Sequence, residues 1–595
     1  MALRLRAKAT KPGLTAKGGL PTELLNSLEL SIDSKHFGAL LIDSGAVTRE
    51  QLSEALETQK SSGLRLGEQL LQQRLVSESV VAKTLGEQYS LDLIDLTTFD
   101  VDIEASAVIN EQVARALGIL PISVDDDEAF VVVADPSDPR VLRALLALPV
   151  ARARIGVAGK SQISNAINLA YRAIGEVDQF VDMFASSDQA RIANAAVENA
   201  QALEVQDDAP VIQVVNRIVT QALRDRASDV HIEPMDENVR VRFRIDGALK
   251  EVLRLPNSMG PALVSRIKIM AEMNIVERRR PQDGQFQTVV DDVTLDVRVS
   301  TTSTIFGEKA VLRLLDKSRA LFNLADLGMP EHTSKIYSKM VRAPFGMVVV
   351  CGPTGSGKTT TLYATLTEIA SEEINVTTVE DPVEYIFPGI NQIQTNEQAG
   401  ISFAAGLKSI LRQDPDVILV GEMRDVETAR IAVQSALTGH FVLSTVHAVD
   451  TVSALYRLID MGIEPFLVAS SMSGVLAQRL IRKNCTACLV EFEPTPDQLA
   501  FYNESAHRSE KTNFMKGAGC TYCAHTGYRE RIGVYELLSI NDDVRRVLVE
   551  GGTPDDLRKA AAANGLRSLR DEALDLVATD ITTIAEVIRS VYTTS

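Results

Sequence analysis

The spacing of apolar positions changes along the chain, and each change marks a different kind of element. Between residues 36 and 88 a helical pattern occurs twice. HFGALLIDSGAVTREQLSEALETQ (36–59) aligns with RLGEQLLQQRLVSESVVAKTLGEQ (65–88). Each copy has Gly third, Leu sixth and Gln last, and reads as a short helix, a turn and a second helix; Val47, Leu52 and Leu56 fall on one helical face by spacing. Two copies are few for a solenoid, so a paired helical module is expected. Next, GILPISVDDDEAFVVVADP reads as two strands around an acidic turn, Asp125 to Glu128, a solvated hairpin tip. Residues 176–208 have little periodicity and read as a partly helical linker. From Ala209, VIQVVNRIVTQALRDRAS is amphipathic, while VRVRFRIDG and LDVRVSTT alternate as half-buried strands do. An α+β domain is predicted at 209–325. MVVVCGP then reads as a buried strand entering a Gly-rich turn. DVILVGE and HFVLSTVH are further short strands among helical patterns, an α/β arrangement, and 552–595 is helical by period.

Composition narrows this picture. A chain of 595 residues, 45% hydrophobic and 24% charged, is multidomain and globular. With 61 basic against 79 acidic residues the net charge is -18, and there is no Trp. That disfavours general nucleic-acid binding and base-stacking platforms. No apolar run reaches bilayer length. The basic first twenty residues lack the apolar core of a secretory signal and read as a disordered tail, 1–32. Four of the 5 cysteines form two C-x-x-C pairs; without an export signal this favours metal over disulfides and a cytosolic chain.

The sharpest motif is Gly352-Pro353-Thr354-Gly355-Ser356-Gly357-Lys358-Thr359, followed by Thr360. It matches G-x-x-x-x-G-K-[ST], with an apolar strand before it and a helical pattern after it. Its glycines let backbone N–H groups turn toward phosphate oxygens; Lys358 would reach the β and γ phosphates and Thr359 would hold Mg²⁺. The strand Val417–Val420 runs to Glu422, as a carboxylate on the Mg²⁺ side requires. Glu380 and Asp381 end another apolar segment. Glu380 is a candidate to orient the attacking water; an acidic turn before Pro382 is the alternative. His440 and His447, two of only 7 histidines, flank a short strand. They could sense a γ-phosphate, bridge subunits or be satisfied core groups. Arg278-Arg279-Arg280 reads as a solvated run, and Cys351 as a small buried filler.

The order GPTGSGKTTTLY, VEDPVEY, LRQDPDVILVGEMRD and TGHFVLSTVHA, with SDVHIEP, VRFRIDG, RRPQDGQF and RVSTTSTIFGEKAVLRLL upstream, resembles the secretion-ATPase superfamily. Within it the chain is similar to the assembly ATPases of type II secretion and type IV pili, the GspE, PilB and MshE group, closely over residues 209–595. The resemblance implies an α/β multidomain fold. It comprises an N-terminal helical MshE-like docking domain (33–175), a linker (176–208), an α+β, PAS-like domain (209–325) and a RecA-like P-loop motor (326–595) with a zinc-binding subdomain (480–530). It implies a homohexamer with ATP between the two nucleotide-flanking domains. Glu380 with Asp381 falls in the acidic box, Glu422 is the Walker B acid, and His440 and His447 form a histidine box. Arg298 and Arg313 supply charge from the smaller domain, with Arg412 another arginine near the nucleotide. Lys408 stands where many relatives carry arginine, which keeps the charge but loses the bidentate fork.

Cys485, Cys488, Cys520 and Cys523 suit a closed tetrahedral Zn²⁺ site, structural since no position stays open. The long gap between the pairs predicts a helical insert. The site resembles the zinc subdomain of assembly ATPases and argues against retraction. The repeat resembles the tandem cyclic di-GMP motif of the MshE N-terminal domain. Its second copy keeps Arg65-Leu66-Gly67, whereas the first has His36-Phe37-Gly38. Two readings stand: a cyclic di-GMP site using Arg65, Leu66, Gly67 and Gly38, or a helical docking module without nucleotide.

The sequence thus points to a cytoplasmic hexameric ATPase, recruited to the inner face of the membrane by an inner-membrane platform protein. It would use ATP, Mg²⁺ and Zn²⁺ to assemble a type IV pilus or a type II secretion pseudopilus, with neither direct nucleic-acid binding nor membrane insertion. The rivals are the motor of a DNA-uptake system and a cyclic di-GMP-responsive regulatory ATPase.

Overall fold

The computed structural model describes residues 5–6, 37–97, 102, 104–125, 128–150, 152–186, 209–316, 323–504 and 511–591. The tail at 1–32 (beyond Leu5–Arg6), His36, residues 126–127 of the acidic tip and 187–208 of the linker lie outside the described residues. The chain forms two compact units, Met1–Arg226 with Cys520–His525, and Ala227–Gly519 with Thr526–Ser595.

In the first unit both repeat copies fold alike. α1 (Phe37–Asp43) and α2 (Arg49–Ser62) correspond to α3 (Leu66–Gln72) and α4 (Glu78–Tyr89). Thr48 and Ser77, equivalent in the repeat, cap the second helices through Gln51 N and Val80 N. The apolar face differs from the one inferred by spacing. Val47 precedes the cap and lies outside the helix, at the position that packs against the fourth helical residue, Leu52. Both join the core with Leu41, Ala55 and Leu70, while Leu56 is 41% exposed. The repeated glycines have a packing reason. A Cβ on Gly38 would meet Leu52 at 2.9 Å, and one on Gly67 would meet Val81 at 3.3 Å. A sheet follows: β1 (Ile119–Asp125) and β2 (Glu128–Val133) are antiparallel, and β3 (Arg152–Val157) runs parallel to β2. Residues Val177–Ser186, the start of the expected linker, are helical.

The second unit opens with six strands: β4 (Asp229–Pro234), β5 (Asn238–Ile245), β6 (Ala248–Pro256), β7 (Gln282–Val290), β8 (Val293–Thr304) and β9 (Gly307–Asp316), in the order β6-β5-β4-β9-β8-β7, all antiparallel. Alternation divides its faces: Val239, Val241 and Phe243 are fully buried, while Arg240, Arg242 and Arg244 lie on the other face. That face is organised around Glu233, whose carboxylate meets Arg240 at 3.0 Å, Arg242 at 2.8 Å and Lys309 at 2.9 Å. Burial alone would raise its pKa; the three cations hold it at about 2.

The second sheet contains β10 (Gly346–Cys351), β11 (Val376–Glu380), β12 (Asn391–Gln394), β13 (Val417–Val420), β14 (Phe441–Val446), β15 (Met472–Asn484) and, beyond the two-stranded β16 (Leu489–Phe492) and β17 (Phe514–Gly517), β18 (Tyr528–Ser539). Its order is β12-β11-β13-β14-β10-β15-β18. All neighbours are parallel except β15 and β18. β10, β11, β13 and β14 are buried at every residue, as expected for parallel strands covered on both faces.

The carboxyl-terminal helix Ile584–Ser590 is locked to β15 by Glu586, whose side chain is fully buried. Arg482 donates to it through Nε at 3.1 Å and Nη2 at 2.7 Å, and Arg589 through Nε at 2.8 Å. Burial pushes this carboxyl up, but the two guanidiniums outweigh it and bring the pKa from 4.5 to about 2. A depressed carboxylate stabilises the fold above its unfolded pKa. This contribution, on the order of 3 kcal/mol, is therefore complete above about pH 4.5 and is lost as the pH falls toward 2. Glu586→Ala, which leaves Arg482 without its carboxylate, is expected to cost about 3–5 kcal/mol in urea unfolding at pH 7. A loss under about 1 kcal/mol would show that the lock is not stabilising.

Candidate nucleotide and metal sites

Parallel α/β sheets bind ligands at the carboxyl ends of their strands. Here β10 leaves that edge at Cys351 and turns through Gly352–Gly357 into α5 (Lys358–Ile369). Gly352, Gly355 and Gly357 have φ of 153°, 77° and 87°, which side chains rarely adopt. The turn is also tight: a Cβ on Gly352 would lie 2.5 Å from the Gln478 carbonyl oxygen, and one on Gly357 2.8 Å from Gln478 Nε2. No side chain caps α5, so its first amides are available to an anion. The Ser356 hydroxyl is buried without a hydrogen-bond partner, and an acceptor such as a phosphate oxygen would satisfy it. Lys358 Nζ donates to the carbonyls of Gly352 at 3.0 Å and Pro353 at 3.1 Å. Burial lowers its pKa, with Cys351 and Glu422 opposing. Thr359 and Thr360 are half-buried in the first turn, and Pro353 and Thr354 are exposed. This donor set fits a polyphosphate. Cys351 is fully buried, and burial pushes its thiol pKa up.

Four carboxylates follow β11 and β13 in different environments. Glu422 follows β13; its oxygens meet the Arg424 guanidinium and, at 3.6 Å, His447 Nε2. Glu380, at the end of β11, is 4% exposed. It accepts from the Tyr363 hydroxyl, from Thr378 Oγ1 at 2.6 Å and from Gln392 Nε2 at 3.1 Å. Its acceptor sites are thus taken up by neutral donors inside the domain. Glu384, four residues on, is different. Burial raises its pKa, Arg298 and Arg313 pull it down, and Glu380 adds to the rise. Of the two glutamates of VEDPVEY, it is the one whose electrostatic surroundings include Arg298 and Arg313. Asp381 accepts from Thr395 Oγ1 at 3.0 Å and lies 3.6 Å from Arg424.

Arg298 and Arg313 are register partners on β8 and β9, so they share a face. Arg313 Nε donates to Asp229 Oδ1 at 3.1 Å. The two histidines do not meet. His447 leaves β14 beside Glu422, whereas His440 enters it, its carbonyl accepting from Gly346 N at the start of β10. A six-residue strand, about 20 Å long, separates them. His440 Nδ1 instead pairs with the Ser435 carbonyl at 3.0 Å. Arg412 is exposed and donates to Lys408 O at 2.9 Å; Lys408 pairs with Glu427 at 2.6 Å. Within one chain, Arg412 and His440 are therefore not brought to the P-loop. Sequence reading passed over Glu384, Tyr363 and Arg424. The motif VEDPVEY held two glutamates, and only the fold tells which one faces the arginines.

The Sγ atoms of Cys485, Cys488, Cys520 and Cys523 lie within 4.8 Å of one another. Cys520 and Cys523 are 3.7 Å apart, well beyond a disulfide. Gly519 N points at Cys488 Sγ and Cys520 N at Cys523 Sγ, both at 3.2 Å, as amides do around thiolates that carry charge. Four sulfurs at this spacing fit tetrahedral Zn²⁺ with no open position. The insert between the pairs holds the helix Pro496–Asn503 and the ladder β16–β17.

In the repeat, Arg65 is engaged within its own unit. It meets Asp135, donates to Ser137 Oγ at 3.0 Å and lies 3.6 Å from Asp138.

Comparison with known proteins gives a consistent result. Residues 204–589 match the family described as Type II/IV secretion system protein, and residues 89–177 match the MshEN domain. The second match begins after the helical repeat. The chain is similar to the type IV pilus assembly ATPase PilB of Myxococcus xanthus, 38% identical over 93% of this chain and 98% of that one. It is 48% identical to the type II secretion system protein HxcR of Pseudomonas aeruginosa, over 67% of this chain and 81% of that one. Among solved structures, the ATPase DotB of Legionella pneumophila aligns over 63% of this chain and 94% of that chain, with 20% identity and a TM-score of 0.47.

The cysteine geometry makes a direct prediction. The purified chain should carry about one zinc per polypeptide by elemental analysis, and Cys485→Ser should lower that content severalfold and reduce thermal stability. Full zinc content in the variant would remove Cys485 from the ligand set.

Proposed function

The chain belongs to the family of type II/IV secretion system proteins, and from that premise we propose that it is a cytoplasmic hexameric ATPase that powers assembly of a type IV pilus or a type II secretion pseudopilus. It is an ATP hydrolase. The observation that carries the site reading is the parallel register of β10, β11, β13 and β14, which brings the Gly352–Thr359 loop, Glu380, Glu422 and His447 to one sheet edge.

In this reading the loop amides, Ser356 and Lys358 bind the phosphates, Lys358 exchanging its two loop carbonyls for phosphate oxygens. Thr359 and Glu422 would hold Mg²⁺, which when bound neutralises charge on the β and γ phosphates. Glu384 positions and deprotonates the attacking water. Arg298 and Arg313 stabilise charge that develops on the transferred phosphoryl. Glu380 supports this arrangement by fixing Tyr363, whose hydroxyl lies 3.3 Å from the Glu384 amide nitrogen. Asp381 holds Arg424 against Glu422. Arg412 and His440, remote from the loop within one chain, are left for contacts between subunits.

The antiparallel sheet at 229–316 is read as the PAS-like domain and the cysteine cluster as a structural zinc site. The repeat is read as a docking module for an inner-membrane platform protein. The packing roles of Gly38 and Gly67 and the Arg65–Asp135 pair support docking over a cyclic di-GMP site, which would require Arg65 to leave its acids. No helix among the described residues is long and apolar enough to cross a membrane.

The test separates the two glutamates. Glu384→Gln should lower kcat by about 10²-fold or more with KM little changed, because it removes the base. Glu380→Gln keeps the shape of a neutral-donor nest and should lose less than about tenfold. In the wild type the rate should fall as the pH drops, from a higher pH than an ordinary carboxylate would give, because burial raises the Glu384 pKa. A larger loss in Glu380→Gln than in Glu384→Gln would return the water to Glu380.

A further inference from the structure

The P-loop is supported from β15 by a residue outside every motif considered so far. Gln478 is 2% exposed and Thr361, in the first turn of α5, is fully buried. Gln478 Oε1 accepts from Thr361 Oγ1 at 2.7 Å. The same side chain stands against Gly357, where a Cβ would meet Nε2 at 2.8 Å, and the Gln478 carbonyl stands against Gly352, where a Cβ would meet it at 2.5 Å. One residue therefore touches both glycines that bound the loop and the helix that leaves it. Its strand is fixed by register, since Ala477 is the partner of Cys351. Arg479, 7% exposed, completes the frame, donating to the Gln478 carbonyl at 3.2 Å and to the Val449 carbonyl at 2.8 Å. It thereby ties the same point of β15 to the segment that follows His447.

A loop that binds phosphates through its backbone has no side-chain geometry of its own to hold its amides in place. Its frame must come from neighbours. A buried amide bonded to a buried hydroxyl is directional, and leaving either partner unpaired is costly. From this geometry we infer that Gln478, through Thr361, is a positioning residue that presets the P-loop for the nucleotide phosphates. It touches no phosphate itself. Losing the bond weakens nucleotide binding and leaves the chemical step nearly intact, because Glu384 stands in the loop after β11 and the arginines stand on β8 and β9.

The inference rests on the P-loop being the nucleotide site, so the experiment carries a control for that reading. Binding of a fluorescent ADP analogue and steady-state ATPase rates are measured on the full chain as Thr361→Val, Thr361→Ser, Gln478→Leu, the Thr361→Val/Gln478→Leu double variant and Lys358→Ala. Thr361→Val and Gln478→Leu should each raise Kd and KM about tenfold with kcat within about twofold, and the double variant should be no worse than either single. Thr361→Ser, which keeps the hydroxyl, should bind like the wild type. Where Gln478→Leu fails to fold, the Thr361→Val and Thr361→Ser pair still decides. Wild-type binding in Thr361→Val, additive losses in the double variant, or a fall in kcat with KM unchanged would overturn the positioning role. Wild-type binding in Lys358→Ala would instead overturn the P-loop reading itself.

Discussion

The burial of β10 is the constraint on which the site depends. All six of its residues, Gly346–Cys351, are buried between two parallel neighbours, β14 and β15. A one-residue slip of a strand packed on both faces would exchange the side chains that each face receives and break the packing on both. The place where β10 ends, and hence where the Gly-rich turn begins, is therefore fixed by hydrophobic packing far more than by the turn. The same sheet carries Glu422 at the end of β13, Glu380 at the end of β11 and His447 at the end of β14. Parallel register brings these ends to one edge. These three side chains stand at or just past the ends of rigid strands.

The two glutamates of VEDPVEY show how the same side chain meets different surroundings. Glu380 is surrounded by neutral donors from Tyr363, Thr378 and Gln392. A carboxylate so saturated has little left to offer a water, and it holds neighbours in place. Glu384 has lost solvent without gaining such donors, and its charge is supported from a distance by Arg298 and Arg313. That combination leaves a carboxylate closer to neutral pH and with acceptor capacity to spare, which general-base chemistry favours.

Much of this was legible in the chain itself. The P-loop was readable because glycine spacing, a preceding apolar strand and a following helix are local features. The repeat was readable because its copies share register, down to the equivalent caps Thr48 and Ser77 and the packed glycines Gly38 and Gly67. Alternation in VRVRFRIDG gave the faces of β5. What the sequence left undecided has a common physical origin. Whether a residue just past a strand turns into the site or away from it depends on the pleat and on what packs there. That hid the difference between Glu380 and Glu384. The family resemblance put His440 and His447 in one histidine box; within one chain the strand between them places one at each end of β14. Gln478 had no motif to announce it, because its role comes from facing β10 across a sheet position and not from its own neighbours in sequence.

The arginine pair adds a final step. Arg298 and Arg313 are directly opposite on β8 and β9, where like charges repel. Arg313 is relieved by Asp229, which also lies 3.4 Å from Arg244. Burial raises the Glu384 pKa, and Arg298 and then Arg313 lower it. An incoming γ-phosphate would offer both guanidiniums a more highly charged acceptor than either Asp229 or Glu384. Transfer of Arg298 toward it would release Glu384 from that pull, and the carboxylate would become a stronger base when substrate is in place. In the proposed mechanism, substrate charge and base strength would thus be linked through Arg298.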